Sequence, residues 1–176
     1  MKRTSVLLLL LVCLASFFGC KKTDDGSYVA PISIYEKMTG TWTLSATKGL
    51  LQHDEIAMAN SESFAEMDLT GQFTFSSFTI TFNVDADKNP TNYAVGGTTP
   101  AFFPVAGYWD LDYPYPSSTG SASKIYLFSD AAKTAKVATL ELLNIPGADP
   151  TLQFKLTRKV KGVPYVSYIY KLSIKK

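Results

Sequence analysis

Cysteine and histidine are almost missing from this chain, with 2 Cys and 1 His among 176 residues. A zinc centre needs three or four such ligands brought together, and a disulfide framework needs an even set of cysteines in the folded part. Neither can be built here, and no metal or other cofactor is expected. Charge is sparse as well, at 18%, against 46% hydrophobic and 13% aromatic residues, which excludes disorder and low-complexity fibres. The formal charge of +2 overstates the basic character, because two of the 17 basic residues, Lys2 and Arg3, fall in a leader and the others only match the 15 acidic ones. Nucleic-acid binding, which needs a basic footprint, is excluded on that ground. Beyond the leader no run approaches the ~18 uninterrupted apolar residues of a membrane-spanning helix. The length suits one domain.

What is present starts with that leader. Met1-Lys2-Arg3 is a short positive segment, followed by the apolar run from Val6 to Leu14 and then Ala15-Ser16-Phe17-Phe18-Gly19-Cys20. The run is too short to cross a bilayer and reads as a secretory signal. Gly19-Cys20 resembles a bacterial lipobox, in which the cysteine thiol receives a diacylglyceryl group and cleavage makes it the first residue. Phe17 and Phe18 stand where an aliphatic and a small residue are usual. The resemblance implies a lipoprotein signal peptide over 1–19, lipidation at Cys20 and lipid anchoring in the outer membrane. Cys13 leaves with the leader, so the domain holds no thiol and relies on its core; at this size about 68–70% of the unfolded surface can be buried. Residues 20–34 form a polar tether. Its Asp24-Asp25 is either simply part of that tether or an export mark, similar to the acidic residues after the cysteine of Bacteroidetes surface lipoproteins.

From Gly40 onward, within a domain spanning 35–176, the chain reads as strand after strand. Ile32 to Met38 is one helical turn suited to plugging a sheet. Trp42, Leu44 and Ala46 alternate on one face of the first strand. Phe73 and Phe75 alternate likewise, and Phe78, Ile80, Phe82 and Val84 then take over with opposite parity, which predicts a bulge or sharp bend at Ser76-Ser77. Further strands are expected at Tyr93–Val95, Val105–Leu111, Lys124–Phe128, Val137–Leu143, Leu152–Val160 and Tyr165–Ile174, separated by turn chemistry such as Asp87-Lys88-Asn89-Pro90 and Lys161-Gly162. Gln52 to Met67 is either a helix covering one end or a long loop. The fold class is all-β: eight or nine short antiparallel strands in a meander that closes into a barrel or folds into a sandwich. Acidic residues crowd between Asp54 and Asp112, and only basic ones follow Asp149, so a basic stripe is expected on the outer face of the last strands.

Gly40-Thr41-Trp42 is similar to the opening Gly-x-Trp of lipocalins. That likeness implies a Trp42 closing the barrel floor after Gly40, with a basic residue of the last strands, Arg158, packed over it. Together with Phe78-Thr79-Ile80-Thr81-Phe82, Pro90-Thr91-Asn92-Tyr93 and Gly107-Tyr108-Trp109-Asp110-Leu111-Asp112, it resembles an uncharacterised family of lipocalin-like lipoproteins from Bacteroidetes. The resemblance runs from about Tyr35 to the C-terminus and carries no ligand or activity with it.

Motifs that suggest chemistry are thin. Ser121-Ala122-Ser123-Lys124, with Ser129-Asp130-Ala131 and Lys133-Thr134-Ala135, approaches the β-lactamase set, but all three lie in one short stretch of turn and strand where those enzymes spread them widely. Asp110 and Asp112 share a strand face about 6–7 Å apart, whereas glycosidase carboxylates flank their substrate from opposite sides. Asp85-Ala86-Asp87-Lys88-Asn89 starts like a calcium loop, yet Pro90 replaces the glycine and the late glutamate is missing. Glu62 and Glu66 share one side only if their segment is helical, and His53 has no partner at ligand spacing. No catalytic residue is assigned, and an enzyme is not expected. The remaining feature is aromatic: Phe102, Phe103, Trp109, Tyr113 and Tyr115, in loops stiffened by proline, are expected at one barrel end, either sealing it or stacking on a sugar ring or apolar ligand. The function so read is a lipid-anchored barrel that binds a small neutral molecule or glycan as an accessory to nutrient uptake. The alternative is a structural lipoprotein that docks on an outer-membrane protein partner with its interior filled.

Overall fold

Ser33 opens the folded part. Its hydroxyl accepts from the main-chain N–H of Glu36 at 3.3 Å, and the Glu36 carboxylate accepts from the main-chain N–H of Ser33 at 2.9 Å. This reciprocal cap starts α1 (Ile34–Met38), whose Ile34 and Met38, four residues apart, point the same way and are buried. The computed structural model describes residues 26, 29–61, 65–100, 103–116 and 123–175. The chain divides into Met1–Pro31 and Ile32–Lys176, and the second unit alone builds the fold. Cys20, Asp24, Asp25, Glu62, Phe102, Ser121 and Ala122 lie outside the described residues.

After α1 come β1 (Gly40–Leu44), β2 (Leu50–Asp54), α2 (Glu55–Ala59), β3 (Glu66–Asp68), a 3-10 turn (Phe75–Ser77), β4 (Thr79–Val84), β5 (Pro90–Gly96), β6 (Ala106–Leu111), β7 (Lys124–Phe128), β8 (Lys136–Asn144), β9 (Thr151–Val160) and β10 (Val163–Ile174). Strands β4 to β10 form a continuous antiparallel meander, and β1 closes it by pairing with both β4 and β10. The result is a closed eight-stranded barrel of the lipocalin type, with β2 and β3 as additional strands. Trp42 stands opposite Ile80 on one side and Ile174 on the other. β10 is long enough to take β1 along residues 172–174 and β2 along residues 166–170, so β2 resumes the line of β1 after an excursion over residues 45–49.

The alternation read from sequence sets the core. Trp42, Ile80, Phe82, Trp109, Phe154 and Tyr170 all point inward and are buried, packed with leucines and isoleucines from every barrel strand but β5, which contributes Tyr93 and Val95. One expectation is corrected and two alternatives are decided. Phe73 and Phe75 are not in a strand: Phe73 and Thr74 take left-handed φ values of 50° and 60°, Phe73 is exposed, and a 3-10 turn follows. That turn is the sharp bend of the two expected alternatives, and it accounts for the change of parity. The stretch from Gln52 to Met67 holds the expected short helix, α2, set between the end of β2 and the start of β3. Asp54 ends β2 by accepting from the N–H groups of Ile56 and Ala57, both at 2.9 Å, which starts α2.

Candidate functional site

The register separates the five aromatics. β6 is six residues long, about 20 Å, and its two flanking loops lie at opposite ends of the barrel. Phe103, before β6, turns inward at the end away from α1, with its ring 5.6 Å from that of Phe78 and 5.2 Å from that of Tyr170. Trp109, within β6, is fully buried 4.8 Å from Phe82 and 5.7 Å from Tyr35, and its indole N–H donates to the Asn83 carbonyl at 2.9 Å. Tyr113 and Tyr115 follow β6 at the α1 end, where the Pro114 carbonyl accepts from Ile34 at 2.8 Å, and both are exposed. A single platform built from these residues is therefore corrected: two of them fill the interior and two lie on the rim of the other end.

Arg158 is corrected too. It stands opposite Val166 on β10, whereas Trp42 stands opposite Ile174, eight residues or about 26 Å further along that strand. What meets the Trp42 indole instead is the carbonyl of Met38, which accepts its N–H at 2.7 Å. Gly40 has φ +116°, and a Cβ there would come within 3.3 Å of Ile174 Cδ1, so glycine lets β1 begin against the end of β10.

The other motif residues make structure. Asp112 accepts from the N–H groups of Tyr113 and Lys124 at the end of its strand. Asp85 accepts from Asp87 and Asn89 and closes the β4–β5 hairpin. Asp130 accepts from Thr134 and Ala135 in the β7–β8 turn. His53 Nε2 meets Glu66 Oε2 at 3.0 Å across the β2–β3 pair. Among the described residues no group of His, Cys, Asp and Glu could hold a metal ion. Asp110 accepts from the Tyr35 hydroxyl at 2.7 Å and from Lys133 Nζ at 2.8 Å. Burial acts to raise its pKa, and these hydrogen bonds, with that from the Leu111 N–H, outweigh it and hold the carboxyl below its ordinary value. Burial and the hydrogen bond to Asp110 push the Tyr35 phenol up.

The feature with the shape of a site lies in the barrel wall, where β8 and β9 part. A cleft of about 700 Å³ runs over β8 and β9, bounded by Glu55 at the start of α2 and Lys124 at the start of β7. Its walls are Val137, Ala138, Thr139 and Glu141 of β8 and Lys155 to Lys159 of β9. The cations Lys124, Lys155, Arg158 and Lys159 line it, against two carboxylates, Glu55 and Glu141. Both carboxylates are engaged: Glu141 pairs with Lys155 at 3.6 Å, and Glu55 accepts from the Ser167 hydroxyl. The cleft is thus an electropositive trough, the local form of the basic stripe expected from the C-terminal charge segregation. The cleft itself had no signal in the sequence, because a gap between two strands depends on where their pairing stops.

A closed, packed lipocalin-type barrel with a basic cleft in its wall is the class that the fold and the site define. The chain belongs to the family described as Domain of unknown function (DUF5004), whose model matches residues 16–173. No curated protein and no solved structure matches it.

Proposed function

We propose that the protein is a lipid-anchored, non-enzymatic protein of the outer membrane, held through Cys20, whose barrel serves as a docking module for a membrane-protein partner. One observation carries the choice of docking over ligand carriage: large apolar side chains occupy most of the inward positions, with Ile34 and Met38 of α1 beside Trp42 and Phe103 at the opposite end. A carrier keeps that volume for its ligand. The anchor is supported by the Gly19-Cys20 lipobox, which falls within the stretch matched by the family model. Asp24-Asp25, just after the cysteine, supports an orientation on the outer face of the cell.

A second reading, a barrel holding a small neutral molecule or glycan, is favoured by one observation: the hydroxyls of Tyr93 and Tyr170 are buried with no hydrogen-bond partner among the described residues. Thermal unfolding of the full chain in detergent, titrated with fatty acids and with mono- and oligosaccharides, separates the two. Docking predicts no saturable rise of the midpoint, since only a ligand of the folded state raises it; a saturable rise overturns docking in favour of carriage. Metabolic labelling with an alkyne fatty acid tests the anchor: Cys20→Ser abolishes the label, and an unlabelled wild-type protein refutes it. Replacing Asp24 and Asp25 by Ala lowers protease accessibility on intact cells, and equal accessibility of the two forms removes the surface assignment.

A further inference from the structure

The β8–β9 pairing stops early. Glu141 stands opposite Lys155, Leu142 opposite Phe154 and Asn144 opposite Gln153, and no pairing continues toward Lys136 on β8 or Val160 on β9. Both strands do continue, β8 against β7 and β9 against β10. Each therefore has one edge paired and the other turned toward the cleft.

Which main-chain groups face the cleft is set by alternation. Lys171 of β10 donates to the Gly49 carbonyl and accepts from Ser45, on the side of β1 and β2. Its neighbours Tyr170 and Tyr168 then direct their groups to β9, where their partners Phe154 and Leu156 are spent. Thr157 and Lys159, out of phase with those, aim their N–H and C=O into the cleft. On β8, the N–H of Leu142 goes to the Ser123 carbonyl on the β7 side, so Leu140 and Ala138 also face β7, while Thr139 and Val137 face β9. Val137, Thr139, Thr157 and Lys159 all line the cleft. An unpaired edge is a ready template for another strand.

We propose that the cleft takes an extended acidic peptide segment of a partner protein as an added β-strand, pairing with the main chain of Thr157 and Lys159 and seated against Val137 and Thr139. The free edge of β9 from Leu156 to Val160 is about 16 Å long, enough for four or five residues. Charge fixes the sign of the occupant. Both native carboxylates are already engaged, whereas Lys124 and Lys159 have no ion-pair partner among the described residues. A second copy offering its own β8–β9 edge would bring lysines against lysines, so self-association here is disfavoured. The inference rests on the docking reading and gives it a place and a partner chemistry; a carrier function would be exposed by the titration with fatty acids and sugars, independently of any peptide binding.

The test uses the full chain in detergent and capped hexapeptides alternating Glu with Val, or Lys with Val. The acidic peptide binds, its affinity falls with salt, and hydrogen exchange at the amides of Thr157, Lys159, Val137 and Thr139 slows at least tenfold on binding. An acidic peptide N-methylated at alternate residues keeps its charge and side chains but loses main-chain donors, and it binds at least tenfold more weakly. Lys124→Glu with Lys159→Glu, both on the surface, weakens binding at least tenfold without altering the fold. No binding at millimolar acidic peptide, equal binding of the basic peptide, indifference to N-methylation, or protection of these amides that grows with protein concentration in the absence of peptide each overturns the proposal.

Discussion

The indole N–H of Trp42 donates to the carbonyl of Met38 at 2.7 Å, tying the first barrel strand to the helix that plugs its floor. The bond is fully buried, and Met38 is the last residue of α1, where carbonyls have no partner within the helix. Trp42 therefore fills the floor and satisfies a helix end at once.

Two substitutions separate those roles. Trp42→Ala removes both and is expected to cost about 3–5 kcal/mol in urea unfolding, as for other large core truncations. Trp42→Phe keeps most of the apolar volume and removes the donor, leaving a buried carbonyl unpaired, and is expected to cost about 1–3 kcal/mol. A loss below about 1 kcal/mol for Trp42→Ala would show that the plug is dispensable.

Phe103 and Tyr115, twelve positions apart in one aromatic cluster of the sequence, are predicted to behave oppositely. Phe103 is 5% exposed and packed among Phe78, Phe154 and Tyr170; Tyr115 is 46% exposed. Phe103→Ala should lower stability by about 3–5 kcal/mol, and Tyr115→Ala should stay within about 0.5 kcal/mol of wild type. Equal effects would contradict the separation of the two loops by β6.

That separation shows what was legible in the sequence. Period-two alternation in β1, β4, β9 and β10 is a property of neighbouring residues, so the strands and their inward sets could be read directly. Proximity along the chain did not become proximity in space, because a strand carries its two flanking loops to opposite ends. For the same reason Arg158 could not be placed against Trp42 from composition: their distance depends on the register of β9 with β10. β2 and β3 were missed because Leu51, Gln52, His53 and Asp54 show no alternation, and the pairing of β2 with β10 is decided by where that long strand runs past β1. The cleft belongs to the same class of feature, since a stop in pairing leaves no mark on either strand alone.

Asp110 gives a pH signature. Its carboxyl is held below its ordinary value in the fold, so the unfolded chain binds the proton more readily and stability rises with pH in that range. The contribution is fully present above the unfolded value of about 3.9 and is lost as pH falls through the lower folded value. Unfolding curves of wild type and Asp110→Asn, compared from about pH 6 to about pH 2.5, should show a wild-type advantage that shrinks below about pH 4. Asp68, Asp85 and Asp130, which are also held low by hydrogen bonds, are common to both proteins and cancel in the difference. An advantage independent of pH would mean that Asp110 acts through shape rather than charge.

Tyr93 supplies the sharpest test of a filled interior. Its phenol is buried, its hydroxyl has no hydrogen-bond partner among the described residues, and burial pushes its pKa up to about 12. A desolvated, unpaired hydroxyl costs about 1–3 kcal/mol, whereas its removal leaves a ring of nearly the same shape in the same place. Tyr93→Phe is therefore expected to leave stability unchanged or to raise it, and Tyr170→Phe, whose hydroxyl is likewise unpaired, to do the same. The two sites can be tested together, since a small gain at each should appear in the double variant. If either substitution instead destabilises the protein by about 1 kcal/mol or more, that hydroxyl has a partner within the barrel. The interior would then hold something polar, and carriage of a small molecule would take precedence over docking on the outer wall.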